Sequence, residues 1–230
     1  MEYFFIFGGE MIFQNRKHAG ILLSEKLLEY KSKLDVLILA LPRGGVPVAF
    51  EITKALKVPM DVFIVRKLGY PGQPELAMGA IGSGGVVVIN ESVVAGLGID
   101  RGTIEMVKEE EEEELKRREL QYRKDRALPS LKGKIIILVD DGLATGATMK
   151  AAVKSVRALG AGKVVVAVPV APPDTFEDLK KIADEVVCLE TPWDFSAVGE
   201  WYRDFTQTTD NEVINLLEQS RNIIENHQID

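Results

Sequence analysis

The sequence predicts an α/β fold: one domain built on a doubly wound, mainly parallel sheet. Three observations lead there. Short runs rich in Val and Ile alternate with helix-forming stretches, the pattern of a parallel sheet covered on both faces. The run Ile135-Ile136-Ile137-Leu138-Val139 passes straight into an acidic turn rich in Gly and Thr, and an apolar helix opens behind it. The 230 residues, 46% hydrophobic and 27% charged, are enough for one substantial core.

Along the chain, strands are expected at 36–41, 61–65, 86–89, 135–139, 164–168 and 186–189. Helices are expected at 16–33, 46–56, 101–126, 148–159, 175–183 and 211–226. The opening residues 1–7 are apolar but include Glu2 and are far too short for a membrane span, so they read as a strand or a packed arm. They lack the basic n-region of a secretory signal, and a cytoplasmic protein with no membrane partner is expected. The acidic run 109–114 is followed by Lys116, Arg117 and Arg118. It reads as a solvated helix face, because Glu112/Lys116, Glu113/Arg117 and Glu114/Arg118 are spaced i,i+4. The stretch 69–85 collects glycines and prolines and is expected to be a flexible loop.

Several function classes are excluded. A net charge of −7 argues against a nucleic-acid partner. Cys188 is the single cysteine, and His18 and His227 are the two histidines, so neither a disulfide nor a Cys/His metal cluster is expected. There is no GxGxxG at the first βα turn and no GxxxxGK[ST], which removes the common dinucleotide and P-loop classes.

The chemistry gathers at Asp140-Asp141-Gly142-Leu143-Ala144-Thr145-Gly146-Ala147-Thr148. In an open α/β sheet, ligands sit at the carboxyl ends of strands. Gly142 and Gly146 let the backbone bend close to a ligand. Backbone N–H groups at the following helix start, with the Thr145 and Thr148 hydroxyls, make an anion cradle. Asp140 and Asp141 are acceptors suited to a vicinal diol. A diol at one end and a phosphate at the other describe ribose 5-phosphate.

Residues 139–149 resemble the signature of the type I phosphoribosyltransferases that binds phosphoribosyl pyrophosphate (PRPP). The likeness extends less sharply over 13–20, 41–46, 66–79, 167–172 and 197–210, where the chain is similar to phosphoribosyltransferases of unassigned acceptor. The resemblance implies the type I phosphoribosyltransferase sheet, with a hood from 1–15 and 190–210. It also implies that Asp140 and Asp141 hold the ribose hydroxyls and that Ala144, Thr145, Gly146, Ala147 and Thr148 wrap the 5′-phosphate. Arg43-Gly44-Gly45 is similar to the family's pyrophosphate loop; alone it reads equally as a βα turn. Arg66-Lys67 is similar to a segment of adenine phosphoribosyltransferases that could complete a pyrophosphate clamp, the other reading being two surface cations.

The implied activity is transfer of the ribose 5-phosphate group of PRPP to a small nitrogenous acceptor, such as a nucleobase, with Mg²⁺ bound mainly through PRPP and pyrophosphate. A homodimer is compatible with it. Asp140, Asp141, Arg43 and Lys67 are the expected catalytic residues. One departure stands out: hypoxanthine–guanine enzymes carry an aspartate where this chain has Ala144, so that acid/base group is absent. Tyr70 and Glu75 occur in 69–85 but not in the order an adenine-type loop would have. Aromatic residues in 193–210 could stack on an acceptor or simply pack. The alternative reading is a PRPP-sensing protein without catalysis.

Overall fold

The computed structural model describes residues 6–7, 10–124 and 126–229. Two short strands, β1 (Ile6–Phe7) and β2 (Glu10–Met11), pair antiparallel. Residues 1–5 of the expected N-terminal strand or arm lie outside the described residues. Helix α1 (Arg16–Glu25) is capped by the Asn15 side chain, which accepts from the His18 N–H at 2.9 Å. It stops short of the expected 33, and a 3₁₀ turn at Leu28–Tyr30 follows. There the Tyr30 hydroxyl donates to Glu185 and accepts from Lys163, which draws the chain onto the sheet.

The chain continues through β3 (Val36–Ala40), α2 (Gly45–Leu56), β4 (Met60–Val62), β5 (Val65–Tyr70), β6 (Gln73–Gly82) and β7 (Val86–Ile89). Then come α3 (Glu91–Leu97), α4 (Arg101–Arg123), β8 (Ile135–Val139), α5 (Ala147–Ala158), β9 (Lys163–Val170), α6 (Pro173–Lys180), β10 (Glu185–Glu190) and α7 (Asp210–Ile229). The main sheet is parallel, in the order β4-β3-β8-β9-β10. Every residue of β3 is buried, as are Ile136 to Val139 of β8, because layers cover both faces. One layer packs residues of α2, α4 and α7 on the sheet, with Leu23 of α1 joining it; the other packs α5 and Leu179 of α6. No helix among the described residues is long and apolar enough to cross a membrane.

Three expectations need correction. The 86–89 strand does not join the parallel sheet: β7 belongs to a separate antiparallel sheet in the order β5-β6-β7. The 61–65 strand divides between β4 and β5. The stretch 69–85 is not a loop but the greater part of that antiparallel sheet. Its Pro71-Gly72 pair makes the turn between β5 and β6, with Gly72 at φ +82°, and register shifts occur on both sides of Gly69. The glycines and prolines shape strands and turns here, which composition alone does not distinguish from a loop. Helix α3 was not expected at all. On α4, Lys116–Glu112 and Arg118–Glu114 form as i,i+4 pairs, whereas Arg117 turns to Glu114 instead of Glu113.

A third apolar cluster closes the carboxyl end of the sheet. Phe13, Ala19, Val170, Trp201 and Tyr202 are buried there together. Phe13 bridges to Tyr202, the Phe13 N–H donates to Trp201 O at 2.8 Å, and the Arg203 N–H donates to Phe13 O at 2.9 Å. Residues 13–14 are thus zipped to 201–204, while Trp193 nearby in sequence stays 89% exposed.

The edge strand β4 is held by a buried cation. Arg123 of α4 is 2% exposed; it contacts Asp61 at 3.1 Å and Glu119 at 2.7 Å and donates to the Val62 carbonyl. Removing one partner of a buried charged network leaves the others uncompensated. Arg123→Met is therefore expected to lower stability by about 3 kcal/mol, seen as a lower urea midpoint at unchanged slope.

Candidate active site

Strands β3 and β8 lie side by side, with Ala40 opposite Val139, and their helices leave the sheet in different layers. The strand order reverses between them, and this is the switch point where open α/β sheets hold ligands. Two turns meet there: 42–44 ahead of α2, and 140–146 ahead of α5. The contact is close. A Cβ at Gly44 would run into the Asp141 carboxylate, and one at Gly45 would sit 2.5 Å from Val139 O and 2.9 Å from Asp140 Cα. Only residues without a side chain allow this approach. The Pro42–Arg43 peptide is cis.

The second turn is braced from below. The Leu143 N–H donates to Val170 O at 2.9 Å, and the Thr175 hydroxyl at the start of α6 donates to Ala144 O at 2.7 Å. Gly146 adopts φ +68° as the residue preceding α5. Lys150 N–H makes the bond to Gly146 O at 2.8 Å, so the N–H groups of Ala147, Thr148 and Met149 lie ahead of the helical ladder. Ala144, Thr145, Gly146, Ala147 and Thr148 therefore surround an electropositive helix start.

The acid pair has unequal surroundings. The Asp141 N–H donates to Oδ1 of Asp140 at 2.9 Å. Asp141 Oδ2 receives Arg16 Nε at 2.7 Å, and the Tyr202 hydroxyl donates to Asp141 O at 2.5 Å. Burial, and then the neighbouring Asp141 charge, push the Asp140 carboxyl well above the usual range; Arg16 opposes this. Burial likewise raises Tyr202, keeping it a neutral donor.

The expected cations are distributed differently from the sequence reading. Lys67 lines a cavity of about 550 Å³ between the antiparallel sheet and α5, together with Ala147 and Thr148. Its ammonium lies 3.0 Å from Glu75. Arg66 instead pairs with Glu111 of α4 at 2.6 Å, and lines a second cavity with Lys67, Glu110 and Glu111. The Arg43 guanidinium is 3.9 Å from Asp210 and lines a cavity of about 370 Å³ with Arg117, Arg118 and Tyr122. Gly44 and Gly45 thus touch the acid pair, while the Arg43 side chain turns toward α4 and α7.

Arg16 and Thr175 were missed by the sequence reading. Arg16 sits in the stretch 13–20 that carried the wider likeness, yet no spacing links it to Asp141, 125 positions away. Thr175 follows the Pro172-Pro173 start of α6 and reads as an ordinary first-turn residue.

These features define the class: an open, doubly wound α/β protein with its cleft at the switch point. Residues 9–204 match the family model described as "Phosphoribosyl transferase domain", and the chain belongs to this family. Two sequences from Mycobacterium tuberculosis, strains CDC 1551 / Oshkosh and H37Rv, carry the name "Putative phosphoribosyl transferase". Each is 50% identical over 209 residues, 91% of this chain but 47% of the relative, so the chain spans about half the length of these curated relatives. The crystal structure of TT1426 from Thermus thermophilus aligns at a TM-score of 0.81 and 44% identity, covering 91% of this chain and 99% of that one.

A raised carboxyl pKa has a definite sign. The fold favours protonated Asp140, so ionising it costs stability as pH rises above the ordinary carboxylate range, fully so above the folded value. Asp140→Asn keeps an oxygen for the Asp141 N–H. It is expected to melt higher than the wild type near about pH 8 and to lose that advantage below about pH 4. Melting temperatures across pH check this.

Proposed function

We propose that the chain transfers the ribose 5-phosphate group of PRPP to a small nitrogenous acceptor and releases pyrophosphate. The observation that carries this reading is the meeting of the Asp140–Asp141 pair with Gly44 on one side and the start of α5 beyond it. The 5′-phosphate would rest on the backbone N–H groups of 144–148, where the α5 dipole favours negative charge. The ribose hydroxyls would donate to the carboxylates. The acceptor nitrogen attacks C1 as the C1–O bond breaks, and the electron pair leaves with pyrophosphate toward 43–45.

Positive charge develops on the ribose ring and negative charge on the leaving group. The acid pair lies beside the first. Lys67 and the backbone of the 43–45 turn serve the second, and Arg43 joins them if it swings from Asp210. Among the described residues no group of three or more His, Cys, Asp or Glu gathers to hold a metal. Mg²⁺, carried mainly on substrate oxygens, would supply charge neutralisation of the pyrophosphate. Holding both reactants in line lowers the barrier by several kcal/mol more. The acceptor is read as a nucleobase or a similar small amine.

Pyrophosphate release from PRPP and Mg²⁺, measured with a panel of purines, pyrimidines and other amines, tests the reading. Release with one acceptor is expected, and Asp141→Asn should lower kcat/KM by about a hundredfold. Tight PRPP binding with no turnover on any acceptor would favour the sensing alternative. No PRPP binding at all would end both.

A further inference from the structure

We infer that Arg16 is a positioning residue for the sugar site: it fixes the orientation of the Asp141 carboxylate so that one oxygen is presented to the ligand. The inference rests on the reading above and goes beyond it, because it gives a role to a residue outside the signature loop and the pyrophosphate loop.

The geometry is that of a clamp. Arg16 Nε meets Asp141 Oδ2 at 2.7 Å, and NH1 donates to the Thr206 carbonyl at 2.7 Å. The guanidinium carbon lies 3.9 Å from the centroid of the Phe205 ring, which covers one face of the cation. Phe205 packs in turn against Tyr202 in a tilted arrangement, with centroids 5.0 Å apart, and Tyr202 against Phe13 at 5.3 Å. The side chains of Arg16 and Asp141 are 11% and 14% exposed, so water screens the pair little. On its other flank Asp141 packs against Gly44, and its carbonyl accepts from Tyr202.

Asp141 is thereby held on three sides. Arg16 takes its Oδ2 and the Asp141 N–H takes Oδ1 of Asp140, which leaves Oδ1 of Asp141 and Oδ2 of Asp140 for a pair of hydroxyls. Adjacent carboxylates disfavour joint ionisation, and a buried cation on one of them relieves this. A surface ion pair would not require a stacked ring, a carbonyl tether and a glycine opposite. Without Arg16 the Asp141 carboxylate is free to rotate.

The test is PRPP affinity by calorimetry in the presence of Mg²⁺, with melting temperatures recorded alongside. Arg16→Gln is expected to weaken binding by about tenfold to a hundredfold. Arg16→Lys should fall between it and the wild type, since it keeps the charge and loses the tether to Thr206. Millimolar methylguanidinium should restore binding to Arg16→Ala. Wild-type affinity in Arg16→Gln would overturn the inference. So would a loss in Arg16→Ala that neither the Lys variant nor methylguanidinium reduces, since that is the behaviour of a staple for the fold. Failure of the wild type itself to bind PRPP would bring down the underlying reading and this inference with it, and no variant is needed to see that case.

Discussion

The candidate site depends on a single carboxylate being held between parts of the chain that are remote in sequence. Asp141 touches Arg16 from α1, Gly44 from the turn after β3, and Tyr202 from the segment that follows β10. The parallel sheet brings β3 and β8 together, but it does not by itself close the end of the cleft. The third apolar cluster does that, by packing Phe13 and Trp201 against Val170 at the end of β9. Apolar burial supplies the stabilisation, and the polar contacts to Asp141 set the register in which 201–206 sits. A charge-assisted hydrogen bond at low exposure contributes about 1.5–3 kcal/mol, comparable with burying one large side chain. Docking of 201–206 and the geometry of the acid pair are therefore one constraint, not two.

The remaining cations near the cleft differ in how firmly they are committed. Arg66 lies 2.6 Å from Glu111, both partly buried, and belongs to the joint between β5 and α4. Arg43 has a looser partner at 3.9 Å and is over a third exposed, as is Asp210. Exposed pairs of that length contribute at most about 1 kcal/mol, so an anion at the 43–45 turn competes easily for the guanidinium. Asp210 itself receives the Tyr122 hydroxyl, and that contact lowers its pKa along with Arg43 and Arg118. The α4–α7 side of the cleft is thus a polar network that the local pattern of α4, a solvated Glu/Lys/Arg face, only partly foretells.

Much of the architecture was legible because it is written in local pattern. The runs 36–40, 135–139 and 164–170 are continuous and apolar, and burial between two covering layers is the reason such runs exist; 186–189 is a shorter apolar run on a half-buried edge strand. The turn at 140–148 was legible for the same reason: acids, glycines and threonines of one turn are adjacent in sequence. The antiparallel sheet was misread because Gly69, Pro71 and Gly72 mark a bulge and a tight turn as readily as they mark a loop. The Arg16–Asp141 pair was illegible because its spacing is set by the topology of the whole sheet. The same holds for Arg123, which reads as one more basic residue on a charged helix and is in fact 2% exposed.

The two tryptophans of the chain occupy opposite environments. Trp201 is 7% exposed within the cluster that closes the cleft, and Trp193 is 89% exposed. An indole in an apolar setting emits at shorter wavelength than one in water, so the intrinsic fluorescence of the molecule is a sum of two resolvable signals. Accessible quenchers such as iodide reach Trp193 and spare Trp201. The fraction of emission that survives quenching is then an optical gauge of whether the cluster around Trp201 is packed.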